Sequence, residues 1–215
     1  MTGVPLEMRE KVAQFEAADA IARLRGVRPP GGGRPAAVLI LLSQRDDGYQ
    51  IVFVEKNADL RSHAGQIAFP GGTMEPEERD PVAAALREAE EEAGIDPATV
   101  EVLGALPPAH VNRSGFDVTA VVGWWREPRP LAPADPFEIQ AVHTLTVASL
   151  LDPVNRLTWV LPNGYSGPAF VIGDLFIWGF TAYLLDGLFD LLGWTLPWDE
   201  TVTAPIPPRF FSERL

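Results

Sequence analysis

Three glutamates, Glu88, Glu91 and Glu92, stand at i, i+3 and i+4 of a helical stretch and therefore share one helix face. Like charges at that spacing repel by about 0.2–0.5 kcal/mol per pair. Something must offset the repulsion, and a divalent cation that prefers oxygen ligands does so most directly. The opposite face carries Val82, Leu86, Ala89 and Ala93, a small-residue stripe suited to packing on a sheet. Pro81 in the first turn and Gly94 as a left-handed C-terminal glycine bound the helix to Pro81–Ala93. Just upstream lies Phe69-Pro70-Gly71-Gly72, whose two glycines permit positive φ and close backbone approach beside the carboxylates.

The flanking sequence supplies the sheet. Ala36–Leu42 is a short, continuously apolar run, as expected of a buried central strand, and a turn at Arg45–Gly48 leads into a hairpin partner at Gln50–Val54. Val100–Leu106, Phe116–Trp125, Glu138–Leu145, Leu157–Leu161 and Ala169–Ile172 also read as strands, with a short helix at Val147–Leu151. Ile177–Leu192 is apolar nearly all round and reads as a buried helix. Strands flanked by a few helices make the chain α/β, a three-layer α/β/α sandwich on a mixed β-sheet. Residues 1–34 form an N-terminal appendage: a helix over 5–25, then the linker GVRPPGGGRP, which cannot be regular structure. The main domain covers 35–194, and 195–215 reads as an extended C-terminal tail.

Composition removes several function classes. A formal charge of −12 argues against nucleic acid as a partner, because that binding rests on basic surface. Without cysteine there are no disulfides and no thiolate zinc sites. The N-terminus lacks the apolar core of a signal peptide, and Asp186 and Asp190 interrupt the one long apolar region, so no membrane partner and a cytoplasmic location are expected.

Gly72, Glu78 and the run Arg87-Glu88-Ala89-Glu90-Glu91-Glu92-Ala93-Gly94-Ile95 resemble the signature box of the Nudix hydrolases, with eight residues between Glu78 and Arg87 where the family pattern has seven. The resemblance implies a Nudix fold and attack of water on a diphosphate, assisted by Mg²⁺ or Mn²⁺ held by Glu88, Glu91 and Glu92. Arg87 would clamp the loop to the helix through Glu77, Glu78 or Asp80. Glu138, at a strand start, stands where a further metal ligand or general base would lie.

Upstream, Arg61, Gly65 and Phe69 to Gly72 match a second signature, similar to that of the coenzyme A pyrophosphatase branch, in which Lys56 replaces an arginine and Asn57 a serine. It implies hydrolysis of coenzyme A or an acyl-CoA derivative to 3′,5′-ADP and 4′-phosphopantetheine. Lys56 and Arg61 suit the phosphates of such a ligand, and His63, Gly71 and Gly72 lie in the same loop. The segment Ile177–Ala182 also resembles this branch. Another nucleoside diphosphate derivative, or a non-catalytic nucleotide-binding module, are the competing expectations. Trp124 and Trp125 would pack in the core or flank an adenine, and His110 and His143 read as structural. The added helix, paired tryptophans and Pro-rich tail would suit a homodimer or a monomer.

Overall fold

The apolar run at 36–42 is buried on both sides. In the computed structural model, which describes residues 3–15, 28–60 and 62–211, Leu39 and Leu41 pack towards one helix while Ile40 and Leu42 pack towards another. Alternate side chains of a strand point to opposite faces, so a strand covered on both faces reads as unbroken hydrophobicity.

In chain order the elements begin with α1 (Leu6–Val12), β1 (Arg34–Arg45), β2 (Gly48–Lys56), β3 (Ile67–Ala68), β4 (Gly71–Thr73) and α2 (Pro81–Ala93). Then come β5 (Val100–Ala105), β6 (Ala109–Val111), β7 (Phe116–Trp125), β8 (Ile139–Thr146) and α3 (Val147–Leu151). The last are β9 (Arg156–Val160), β10 (Ser166–Ile172), β11 (Leu175–Ile177), α4 (Gly179–Leu192) and β12 (Thr203–Pro205). The main sheet has eight strands along the path β3-β2-β1-β7-β5, with β8 on β2, β4 on β1 and β6 on β7. β1 and β7 run parallel and the other pairs antiparallel, so the sheet is mixed. α2 lays Ala84, Ala85, Ala89 and Ala93 on one face; Leu184, Leu185 and Leu188 of α4, with Met8 and Val12 of α1, cover the other. This is the three-layer α/β/α arrangement.

Three expectations change. The helix expected over 5–25 ends at Val12, and 16–27 lie outside the described residues. Val82 and Leu86 are only half-buried; the centre of the buried stripe is alanine, joined by Glu92. A second sheet of four strands, β11-β10-β9-β12, stands beside the first. Its edge strand β12 comes from the stretch read as an extended tail and runs parallel to β9. Trp124 and Trp125 pack in the core, the first of their two expected places.

Two histidines gain partners. His143 Nε2 lies 2.8 Å from Glu55 Oε2 across the β2–β8 pair. His110 Nδ1 lies 2.7 Å from Asp117 Oδ1, while the backbone N–H groups of Gly31 and Gly33 donate to the same carboxylate at 3.0 and 2.8 Å. Asp117 therefore ties the Pro/Gly linker to β7. The Gly31 N–H and the His110 ring hold its carboxyl below the ordinary aspartate value. A depressed folded value means stability that is present above the unfolded value and lost as pH falls through the folded one. Asp117→Asn is expected to melt below the parent at about pH 7, with the difference closing towards about pH 3; parallel thermal melts at the two pH values check this.

Candidate active site

α2 is fixed at both ends by local chemistry. Asp80 caps its start, accepting the Ala83 N–H at 2.9 Å, with Pro81 in the first turn. Gly94, at φ 66°, closes its end and donates to the Glu90 carbonyl at 2.9 Å. The helix thus presents its glutamates at a set height beside β4.

Those glutamates occupy three different environments. Glu91 is exposed, Glu88 is half-buried, and Glu92 is 2% exposed on the sheet side of the helix. One Glu92 oxygen accepts the Gly71 N–H at 3.1 Å and the other is paired with the Lys56 ammonium. Burial pushes the Glu92 carboxyl up to about 7 against the pull of Lys56. Burial also raises Glu88, opposed by Arg87.

Lys56 follows Val52 and Val54 at period two, so it leaves β2 on the α2 face. Its ammonium also reaches Glu138 Oε1 at 2.6 Å. The Asn57 N–H donates to the Glu138 carbonyl at 2.7 Å and fixes the start of β8 against the end of β2. Burial works to lower the Lys56 ammonium, but Glu92 and Glu138 outweigh it and hold the lysine above its ordinary value. Lys56, expected on a substrate phosphate, is thus the cation between two site carboxylates.

Arg87 is the second internal counter-ion. Its Nε donates to Glu78 Oε1 at 2.9 Å, its Nη1 to Glu88 Oε1 and Glu91 Oε2 at 2.9 Å each, and its Nη2 to the Thr73 carbonyl at 3.1 Å. Of the three acids open to the clamp, Glu78 fills the position and Asp80 is the helix cap. A turn in which the Glu78 N–H donates to the Glu75 carbonyl at 3.0 Å, and the Glu75 N–H to Glu78 Oε2 at 2.7 Å, delivers Glu78 to Arg87 despite the additional residue. The repulsion read from the sequence is therefore offset first by Arg87 and Lys56.

The donor set still suits a hard divalent cation. Among the described residues, no three His, Asp or Glu side chains converge closely enough to ligate one ion. Glu88 and Glu92 nonetheless offer carboxylate oxygens one turn apart, of the kind Mg²⁺ or Mn²⁺ takes. Gly72 leaves a notch against Glu88 that a side chain would fill: an added Cβ would collide with that carboxylate, its Cδ lying 2.6 Å away. An ion taking Glu92 would exchange with Lys56.

Positive φ is not used at Gly71 or Gly72, which lie in extended β4. Both serve close approach instead. A Cβ at Gly71 would strike the β1 backbone, meeting Val38 Cα at 2.7 Å, whereas at Gly72 only the end of a flexible side chain must yield. Gly72→Ala is expected to lower kcat roughly 10²-fold by displacing Glu88, with Tm changed by less than about 3 °C. Gly71→Ala should chiefly lower Tm, and steady-state kinetics with thermal melts separates the two.

Of the other candidates, His63 adopts φ 59° and pairs with Gln66 Oε1 at 2.9 Å, a local loop contact. Arg61 lies outside the described residues. Reasoning from sequence missed the Thr73 carbonyl, the Gly71 N–H and the Lys56 bridge; only the last left a signal, the period-two run Val52, Val54, Lys56. A cavity of about 200 Å³, lined by Arg45, Gln50, Trp125 and Arg129 among others, shares no residue with this cluster.

Comparison with known proteins identifies the family. The NUDIX domain family matches residues 33–163. The "Uncharacterized Nudix hydrolase NudL" of Shigella flexneri serotype 5b (strain 8401) is 40% identical over 138 residues, 62% of this chain and 70% of that protein. Its namesake in Escherichia coli (strain K12) is 42% identical over 118 residues, 55% of this chain and 60% of that protein. A solved Nudix hydrolase from Nitrosomonas europaea covers 82% of this chain and 81% of its own, at 12% identity and a TM-score of 0.48, too distant to carry weight. Among the described residues, no helix is long and apolar enough to cross a membrane. With the family matched across most of the chain and the signature glutamates clustered on α2, the chain belongs to the Nudix hydrolases.

Proposed function

We propose that this chain hydrolyses the diphosphate of coenzyme A or an acyl-CoA derivative, releasing 3′,5′-ADP and the 4′-phosphopantetheine portion. The observation that carries the reaction type is the Lys56 ammonium joining Glu92 to Glu138, with Glu92 held by the Gly71 N–H and Glu88 held against the Gly72 notch by Arg87, itself clamped to Glu78. Glu88 and Glu92, with Glu91 beside them, would hold Mg²⁺ or Mn²⁺, which would supply charge neutralisation at phosphorus-bound oxygens and a bound water of lowered pKa. Glu88 is oriented by Arg87, and Glu92 by the Gly71 N–H. Glu138 stands at the open side of the row as a further ligand or as general base. Lys56, released from Glu92 by such an ion, would still lie where it can meet a phosphate oxygen.

Support for coenzyme A comes from the upstream signature, chiefly Arg61, Gly65 and Phe69 to Gly72. One observation favours a second reading, hydrolysis of another nucleoside diphosphate derivative such as a dinucleotide or nucleotide sugar. Lys56, standing for the signature's first arginine, is occupied by Glu92 and Glu138, which leaves Arg61 as the cation on which the 3′-phosphate assignment rests. Arg61→Ala therefore tests the assignment. It is expected to raise KM for coenzyme A about tenfold while leaving dephospho-coenzyme A within about twofold, since the lost contact is to the 3′-phosphate. Equal effects on both would move Arg61 away from that phosphate and favour the second reading.

A further inference from the structure

The loop joining β2 to β3 folds back on the carboxylate cluster. The Lys56 N–H donates to the Gln66 carbonyl at 2.9 Å and the Gly65 N–H to the Lys56 carbonyl at 3.1 Å, so the loop's two ends close on the residue that bridges Glu92 and Glu138. The Gln66 N–H donates to the His63 carbonyl at 3.0 Å, and His63 and Gly65 both take left-handed φ, at 59° and 66°. Among the described residues these bonds define the reversal at 63–66, and a second segment supports it from outside.

That support comes from the far end of the chain. Phe210 is 6% exposed, and its Cε1 lies 3.9 Å from where a Cβ on Gly65 would stand. The ring is held from behind by Trp178 and Phe176, with centroids 6.0 and 6.2 Å away. Its backbone is set by a turn in which the Phe210 N–H donates to the Pro207 carbonyl at 3.1 Å, and by Arg209, which donates to the Asp174 carbonyl at 2.8 Å. Ile206, 4% exposed, anchors the same segment in the aromatic cluster of the second sheet. β12 then continues that sheet beside β9. The C-terminal segment thus brings the Phe210 ring beside Gly65, which is hydrogen-bonded to the Lys56 backbone at the site.

We propose that Phe210 is a positioning residue for substrate binding: lying beside Gly65, its ring sets the shape of the turn at 63–66, which borders the substrate site. The proposal rests on the reading in which this loop meets the substrate. An aromatic ring against a glycine is a contact of shape. Truncating it opens space beside a left-handed turn, and the loop then samples conformations that bind substrate poorly. Bound substrate reacts at an unaltered carboxylate cluster, so the loss falls on KM. A purely structural Phe210 would cost stability and leave KM alone, as expected of Ile206, which fills the same cluster.

The experiment compares Phe210→Ala, Phe210→Leu and Ile206→Ala in the full chain, using whichever of coenzyme A, ADP-ribose or a diadenosine polyphosphate the parent hydrolyses with Mg²⁺. Phe210→Ala is expected to raise KM about tenfold with kcat within about twofold, and Phe210→Leu, which keeps most of the bulk, to restore KM to within about threefold of the parent. Ile206→Ala is expected to lower Tm with KM unchanged. Amide hydrogen exchange at Gly65 and Gln66 should quicken at least about tenfold in Phe210→Ala and not in Ile206→Ala, a readout that needs no substrate. Equal KM and equal exchange in the two alanine variants overturn the proposal, as does a loss confined to kcat. If the parent hydrolyses nothing in the panel, the functional reading fails instead, and the exchange comparison still decides the role of Phe210. Should Phe210→Ala not fold, Phe210→Leu against Ile206→Ala is read by the same exchange criterion.

Discussion

Glu92→Gln is expected to lower kcat/KM by roughly 10³-fold, about 4 kcal/mol of lost transition-state stabilisation, while leaving Tm within about 3 °C of the parent. The two halves of this result have separate causes. Glu92 is the most buried of the three glutamates and offers an oxygen to the site beside Gly71 and Lys56. An amide keeps an acceptor for the Gly71 N–H but is a poor ligand for a hard cation. Its effect on folding is small because burial already opposes the charge, pushing the carboxyl up to about 7. Lys56 also keeps Glu138 as a partner at 2.6 Å. Activity retained to within tenfold of the parent would remove Glu92 from the metal site; the same loss accompanied by collapse of Tm would make it a folding residue.

Arg87→Ala should show the reverse balance, with stability the larger casualty. The guanidinium serves Glu78, Glu88, Glu91 and the Thr73 carbonyl at once. Glu78 and Glu88 are mostly buried, their side chains 12% and 16% exposed, so removing Arg87 strands two carboxylates with little water to replace it. Glu91, 57% exposed, contributes little. The expected cost is about 2–3 kcal/mol, read as a fall in Tm of roughly 5–10 °C for a chain of this size. Catalysis should fall about 10–100-fold as well, because Glu88 loses its orienting partner. Arg87→Lys is expected to recover little of either, since an ammonium cannot reproduce the planar fork that spans Glu78 and Glu88. A Tm within about 2 °C of the parent would show that the loop-to-helix clamp is not a structural contact.

What could be read before the structure was the part written by local chemistry. Pro81, the alanines and Gly94 delimit α2, and the double-sided apolar run at 36–42 marks β1, because neither depends on distant residues. The carboxylate cluster was legible for the same reason, since helix geometry alone puts Glu88, Glu91 and Glu92 on one face. The environment of each glutamate was not. Glu92 is buried because the α2 stripe rotates towards Ala85 and Ala89, away from Val82 and Leu86, which only packing against β1 and β2 decides. The pairing of Lys56 with Glu92 and Glu138 was not legible, because those carboxylates are far along the chain and meet it only in the folded sheet. The second sheet escaped notice because β11 and β12 are three residues each, too short for alternation to register. The clamp could be narrowed to three acids and no further, since a turn at 75–78, formed by its own backbone and the Glu78 side chain, chooses among them.

The most direct test of the central claim is product analysis after incubating the folded protein with coenzyme A, ADP-ribose, a diadenosine polyphosphate and dNTPs, each with Mg²⁺ or Mn²⁺ and each with a chelator in excess. Metal-dependent release of 3′,5′-ADP from coenzyme A, abolished by the chelator and by Glu92→Gln, is the predicted result. No hydrolysis of any member with either ion, or hydrolysis that survives both the chelator and Glu92→Gln, would contradict it.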